Sequence, residues 1–234
     1  MRINIVTIFP DFFGEPLRLS IPGRARQAGL VDYRITDLRD YTHDRHRTVD
    51  DLPYGGGAGM VMKPEPFFEA VDDLEPQGPV VLLSPRGRIF RHADAVRFSV
   101  QPELTLLCGH YKDVDQRVAE ELATEEISLG DFVLSGGEVA ALAVTDAVVR
   151  LLPGALGDHE SASSDSFYER PLLSPPSWTR PAEYRGHRVP EVLRSGDHAR
   201  IEDFREKLAR KITRERRPDL WRQAVDEGWA DPEE

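Results

Sequence analysis

Ser135-Gly136-Gly137-Glu138 lies in a stretch, Leu129 to Ala140, that compresses a strand end, a tight turn and a helix start into a few residues. Ser-x-x-Glu is the spacing of a capping box, in which the serine hydroxyl accepts from the Glu138 N–H and the glutamate carboxylate reaches back to the Ser135 N–H. That spacing predicts a helix beginning here. Two glycines in its first turn leave backbone N–H groups bare, so the polar edge of a ligand could lie directly against them. A well-capped helix after a glycine turn is the other reading, because a Gly-Gly pair is not specific by itself.

Other residues could carry chemistry. Asp165, in the loop Glu160 to Phe167, is either a solvated acid or a proton acceptor. Cys108 follows the apolar run Leu104 to Leu107 and reads as a buried thiol, and a single cysteine leaves no internal disulfide framework or multi-cysteine zinc site, which points to a reducing compartment. His43 and His46 could begin a metal site, but no clustered ligands join them and no metal ligands are assigned. The glycines 55–57 and 59 could form a nest for phosphate. They lack both the Lys-Ser/Thr ending of a P-loop and the dinucleotide fingerprint, which argues against a nucleoside triphosphate. Arg210, Lys211, Arg214, Arg216 and Arg217 cluster at one end of an amphipathic segment, either complementing a helix dipole or binding phosphate.

The chain of 234 residues carries a net charge of −11, which argues against nucleic acid until its distribution is considered. From Arg170 onward there are 14 Lys+Arg against 13 Asp+Glu, and before it 16 against 28, so a polyanion should favour the tail. The first ten residues are too short and strand-like for a signal peptide, and no apolar run approaches membrane length. A cytoplasmic protein without a membrane partner is expected.

Positioning these residues requires strands that alternate with helices. Strands are predicted over Ile3–Phe9, Val31–Ile35, Pro79–Leu83, Leu104–Cys108 and Glu126–Leu129. Helices are predicted from Pro10-Asp11 to near Gly29, over Glu65–Leu74 and Ala93–Phe98, from near Asp115, and from Gly137 to about Leu152. The alternation implies an α/β fold with a largely parallel sheet and helices on both faces. Ligands bind off the carboxyl ends of such strands, where Ser84-Pro85-Arg86-Gly87, Gly109-His110-Tyr111-Lys112 and the opening stretch form turns expected to share one site. The last helix, alanine-rich, is core or a dimer seam. A mobile linker then precedes an irregular segment and a final helix starting near Ser195-Gly196-Asp197, with Ile201, Phe204, Leu208 and Ile212 on one stripe.

Together these motifs resemble the bacterial tRNA (guanine-N1)-methyltransferases, the TrmD family of SPOUT methyltransferases. The likeness runs nearly end to end: Phe9-Pro10, Gly23-Arg24-Ala25, Thr42 to Asp51, Pro53 to Gly57, Leu83-Ser84-Pro85, Gly130 to Glu138, Asp165-Ser166-Phe167 and Ser195 to His198. The resemblance implies a deep trefoil knot that holds S-adenosylmethionine, an obligate homodimer with a shared active site, and methyl transfer to N1 of the guanosine 3′ of the anticodon (position 37) in tRNA. It implies a methyltransferase domain over 1–160, a mobile linker over 161–175 and a helical tRNA-binding domain over 176–234. Carried over by position, the donor site comprises Leu83, Ser84, Gly109, Leu129, Gly130, Leu134, Gly136 and Gly137, the base is Asp165, and the guanine-polarising cation is Arg150. One place departs from the pattern: Tyr111-Lys112-Asp113-Val114-Asp115 stands where the family usually has Tyr-Glu-Gly-Ile-Asp. That departure leaves magnesium dependence open, and with it a different methyl acceptor or a non-catalytic RNA-binding dimer as other readings.

Overall fold

The computed structural model describes residues 1–156 and 165–231. They fall into two compact units, Met1–Gly157 and Asp158–Glu234. The start of the expected linker, 161–164, and the expected boundary at 160 lie outside the described residues.

The first unit is built on strands β1 (Arg2–Thr7), β2 (Asp32–Asp37), β5 (Val80–Ile89), β6 (Glu103–Cys108) and β8 (Glu125–Ser128), all parallel, in the order β2-β1-β6-β5-β8. The expected parallel α/β architecture is therefore present. Alternation along buried strands sends side chains to two cores. Ile3, Ile5, Leu104, Leu106 and Cys108 face one, with α1 (Ser20–Gln27), α3 (His92–Ser99) and α4 (Glu138–Val149) supplying Ala25, Ala95, Phe98, Val144 and Val148. Val6, Leu82 and Leu107 face the other, against Phe67, Ala70 and Val71 of α2 (Pro64–Leu74). Each of the Val, Leu, Ile and Phe side chains contributes about 1.5–3 kcal/mol by leaving water, so the cores rather than helix propensity fix where the short helices lie. The alanine-rich α4 is core on the Ala140, Ala141 and Val144 side and exposes Val139 on the other.

Two expectations need correction. The single helix expected from Pro10 to Gly29 is instead two 3-10 turns, Pro10–Phe13 and Pro16–Arg18, followed by α1. Pro16 lacks the N–H that a continuing helix needs, and Ser20 turns the chain at φ 52°. Gly23 then passes so close to Arg18 that a Cβ would lie 2.0 Å from its carbonyl oxygen. The second correction concerns β5, which does not stop at Leu83. Ser84 to Gly87 leave the ladder and Arg88 rejoins it, so that Leu83 and Arg88 both pair with Ile127. Gly87 permits this return, because a Cβ there would sit 2.3 Å from the Ile127 nitrogen.

The long polar loop beginning at Asp40 is tied down by a small sheet. Strand β3 (Asp50–Asp51) pairs antiparallel with β4 (Val61–Met62), which pairs parallel with β7 (Asp113–Val114). Asp44 organises the loop's first turn by accepting from the N–H groups of His46 and Thr48 and from the Thr48 hydroxyl, and these bonds hold its carboxyl below the usual range.

In the second unit, a short hairpin, β9 (Glu183–Tyr184) with β10 (His187–Arg188), precedes α5 (His198–Arg216) and α6 (Pro218–Asp226). Asp197 caps α5 by accepting from the Arg200 N–H at 3.2 Å. Leu172, Trp221 and Ala224 make a small core. The Thr213 hydroxyl accepts from the Leu173 N–H at 2.9 Å and donates to the Ala209 carbonyl. The Ile201, Phe204, Leu208 and Ile212 stripe is only half-buried; Ala209 and Thr213 are the buried positions of α5.

Candidate active site

The carboxyl ends of β5, β6 and β8 bring three loops around one cavity. Leu83, Ser84, Gly109, Leu129, Gly130, Leu134, Gly136 and Gly137 all line it. Apolar walls from Leu82, Val114, Ile127 and Phe132 could hold a flat ring, while Lys112 and Asp113 bring both signs of charge to the same space. Those are the surfaces a purine ring and a zwitterionic amino-acid end require, so the lining fits a donor such as S-adenosylmethionine.

The turn into α4 differs from the expected capping box. Gly137 is the N-cap and the helix has no side-chain cap. The Glu138 carboxylate points inward instead, 5% exposed, with Oε1 accepting from Thr7 Oγ1 at 2.7 Å and Oε2 3.8 Å from His110 Nδ1. A buried carboxylate needs donors, and Thr7 at the end of β1 supplies one that the local chain cannot. The same threonine oxygen accepts from the Phe9 N–H at 2.9 Å, fixing how the chain leaves β1.

The two glycines are required by chain-to-chain approach. A Cβ on Gly136 would lie 2.3 Å from both Glu138 Oε2 and His110 Nδ1. A Cβ on Gly137 would meet Cys108 Cα at 2.8 Å, and the Gly137 N–H donates to the Gly109 carbonyl at 2.8 Å. The Gly137 amide is thus spent on the neighbouring loop rather than left bare for a ligand, which corrects the expectation for that one N–H, while both glycines line the cavity. His110 pairs with Gly136 as an isolated bridge and packs edge-on to Phe9 and Tyr111, with centroids 5.0 and 5.1 Å away. Thr7 was not singled out by sequence reasoning, which placed His110 only as part of the 109–112 turn and Glu138 only as the acid of a capping box; an acid opening an otherwise apolar helix was the available signal of a buried carboxylate. Cys108 is fully buried, as expected, and burial followed by the nearby Glu138 charge pushes its thiol pKa up.

The two residues that depart from the family pattern part company here. Asp113 accepts a bidentate pair of hydrogen bonds from Arg86, at 2.9 and 3.0 Å, which joins the β5 excursion to the 110–114 loop across the cavity lining. Lys112 is exposed; its backbone N–H donates to the Met60 carbonyl at 3.0 Å and its stem lies against Gly59. Tyr111 holds the turn at φ 59°.

Arg150 is not among the residues lining this cavity; it caps the C-terminus of α4, half-buried, its N–H donating to the Asp146 carbonyl at 3.1 Å. Asp165 belongs to the second unit, where it lines a cleft with Arg170, Trp178, Arg180, Arg194 and Arg205. At the basic end of α5, Arg210 pairs with Glu206 and Arg217 with Asp219, while Lys211, Arg214 and Arg216 are exposed. His43 does not join His46 but meets both oxygens of Glu69, at 2.9 and 3.0 Å. Among the described residues there is no group of three His, Cys, Asp or Glu suited to hold a metal, and no helix long and apolar enough to cross a membrane.

A family model described as tRNA (Guanine-1)-methyltransferase TrmD matches residues 1–223. The chain is similar to a tRNA (guanine-N(1)-)-methyltransferase of Gloeobacter violaceus, 54% identical over 94% of this chain and 98% of that protein. A protein of the same name from Clavibacter sepedonicus is 52% identical over 94% of this chain and 99% of its own length. Another, from Dehalococcoides mccartyi, is 50% identical over 94% and 90%. With three strand-end loops gathered at one cavity, and a match that spans both units, the chain belongs to the tRNA (guanine-1)-methyltransferase family, TrmD.

Proposed function

We propose that this enzyme transfers a methyl group from S-adenosylmethionine to N1 of the guanosine 3′ of the anticodon in tRNA. The observation that carries the reading is the convergence of all eight donor-site residues on one cavity at the carboxyl edge of the sheet. The donor, when bound, supplies a methyl group activated on a sulfonium; the protein's task is to make guanine N1 a nucleophile and to align it. Asp165 takes the N1 proton, and Arg150 donates to O6 where negative charge gathers as that proton leaves. Alignment needs N1 and the methyl carbon about 3–3.5 Å apart, which the loop packing around Gly109, Gly136 and Gly137 serves by fixing the cavity's shape.

The knotted path implied by the resemblance is part of this proposal. It is supported by β5 leaving and rejoining β8 opposite the same residue, Ile127, and by the 136–137 turn lying against Cys108-Gly109. A homodimer is proposed as well, with Asp165 and Arg150 contributed by different protomers. Phe9, Phe12, Val133 and Val139, each at least 44% exposed, supply apolar surface that a second copy would cover. In this reading residues 1–160 hold the donor, 161–175 link, and 176–234 engage tRNA in the cytoplasm.

The test is methyl transfer from labelled S-adenosylmethionine to tRNA transcripts carrying guanosine or adenosine after the anticodon. Transfer to the first and not the second is expected, with Asp165→Asn slowing turnover by roughly 10²–10⁴-fold. Donor binding without transfer to the guanosine transcript overturns the reading.

A further inference from the structure

Three carboxylates are buried among the described residues: Asp94, Glu103 and Glu138. Asp94 is balanced by the guanidiniums of Arg88 and Arg97. Glu103 stands at the amino end of β6, away from the strand ends that form the cavity, and accepts from the Asn4 side-chain amide. Glu138 differs in place and in company. Its partners are the Thr7 hydroxyl and, at 3.8 Å, the His110 ring; among the described residues no lysine or arginine pairs with it. His110 Nδ1, the ring atom that faces it, is buried without a hydrogen-bond partner. The carboxylate opens α4, where a helix N-terminus favours negative charge. Its charge is felt nearby, adding to burial in pushing the Cys108 thiol pKa up.

This carboxylate lies just behind the wall of the cavity at the carboxyl edge of the sheet. Gly136 and His110 both line that cavity, and a Cβ on Gly136 would meet Glu138 Oε2 at 2.3 Å, so the wall there is one glycine thick. Of the charged residues that line it, Lys112 is exposed and Asp113 is engaged by Arg86. The buried charge behind the wall is therefore negative. A cation that enters gains from this field, and a neutral ligand of the same shape does not. Even 15 Å apart, opposite unit charges at an effective dielectric of about 20 alter binding by roughly sixfold. The proposed donor carries such a cation on its sulfonium. When the S–CH3 bond breaks, its electron pair returns to sulfur and the product is a neutral thioether. We infer that Glu138 sets the charge preference of this cavity, favouring the sulfonium donor over the thioether product and so promoting exchange of spent for fresh donor. The inference rests on the methyltransferase reading above, which supplies the cation.

The test is calorimetry on the intact chain at about pH 8, above the ordinary imidazole pKa. Three ligands are compared: S-adenosylmethionine, S-adenosylhomocysteine, and sinefungin, which carries a protonated amine in place of the sulfonium. Glu138→Gln keeps the shape and the acceptor for Thr7 while removing the charge. It should weaken the two cationic ligands by about fivefold or more and change S-adenosylhomocysteine by less than about twofold. In turnover with saturating tRNA, the same variant should raise KM for the donor without lowering kcat, the signature of an interaction not strengthened in the transition state. Wild type supplies a second reading that needs no variant to fold. Its ratio of donor to product affinity should persist between about 0.05 and about 0.5 M salt, because a buried charge is screened far less than an exposed one. A ratio that falls towards one at high salt assigns the preference to exposed charges and overturns the inference. Equal weakening of all three ligands in Glu138→Gln makes the residue one of packing alone, which also overturns it and leaves the methyltransferase reading standing. Selective weakening of the cationic ligands, with no methyl transfer to any tRNA, upholds the inference and overturns that reading. Failure of wild type to bind any of the three overturns both.

Discussion

Thr7 Oγ1 donates to Glu138 Oε1 at 2.7 Å, tying the end of the first strand to the start of the helix that follows the 135–137 turn. The bond spans 131 positions of sequence and leaves the other carboxylate oxygen to face His110. It fixes α4 against β1, so the 135–137 turn is held from beneath rather than by its own cap. Replacing Thr7 with Val keeps the shape and strips the donor from a buried carboxylate, at a cost of about 1–3 kcal/mol. Thr7→Ser should recover most of that loss in urea denaturation. Equal stability of Thr7→Val and wild type would show that the carboxylate finds another donor and that the bond does not anchor the turn.

Gly136 and Gly137 should fail in different ways when given a methyl group. At Gly137 the obstacle is backbone, Cys108 Cα and the Gly109 nitrogen, so Gly137→Ala must push β6 and the turn apart. At Gly136 the obstacles are two side-chain atoms, Glu138 Oε2 and His110 Nδ1. Gly136→Ala should therefore weaken S-adenosylmethionine binding in calorimetry, with partial recovery in Gly136→Ala/His110→Ala. Gly137→Ala should show no such recovery when combined with His110→Ala. Rescue of Gly137→Ala by that second change would contradict the packing described.

How much was legible in the sequence follows the range of the forces involved. Strands β1, β5 and β6 were readable because each contains a short, largely apolar run, and Leu104 to Cys108 is buried on both faces; β2 and β8 carry few apolar residues and were placed by their position in the alternation with helices. That three loops would share one cavity was readable because strands of such a sheet present their carboxyl ends together. The Ser135–Glu138 spacing misled because a capping box is a local pattern, whereas the partner that decided the matter, Thr7, is remote. The break between Pro10 and Ser20 was signalled by Gly14 and Pro16 but overridden by the expectation of one crossover helix. The return of β5 at Arg88 had only Gly87 as its sign, and a glycine does not say which backbone it must approach. Asp113 looked anomalous alone; Arg86, its partner, is 27 positions away.

Asp94 makes a pH-dependent contribution at the corner of β5, α3 and β8. Burial raises its carboxyl pKa, but hydrogen bonds from the Arg88 guanidinium, the Arg91 N–H and Arg97 outweigh this and hold it below the ordinary value. A depressed folded-state pKa gives stability that is complete above the unfolded value, about 3.9, and is lost as pH falls through the lower one. Asp94→Asn should thus cost on the order of 1–2 kcal/mol at pH 7. The gap to wild type should narrow steadily below about pH 4. A gap that stays constant from pH 7 to pH 2.5 in denaturant titrations would remove Asp94 from the acid response.

Lys112 brings the last expectation, because it stands where an acid is usual and its neighbour is already accounted for. Arg86 engages the Asp113 carboxylate, so the exposed Lys112 ammonium remains to set the charge at this side of the cavity proposed to hold the donor. An acid in its place would stand beside Asp113, and a divalent cation would then relieve the repulsion. With lysine present, S-adenosylmethionine affinity measured by calorimetry should be the same in EDTA and in magnesium. Lys112→Glu should weaken binding in EDTA by up to about fivefold, as for an exposed charge pair worth up to about 1 kcal/mol, and magnesium should restore it. Lys112→Met separates charge from reach: it keeps the stem against Gly59 and should bind the donor between the two, without a magnesium effect. Identical affinities for all three proteins, with and without the metal, would mean that the ammonium points away from the donor and that its charge is immaterial to binding.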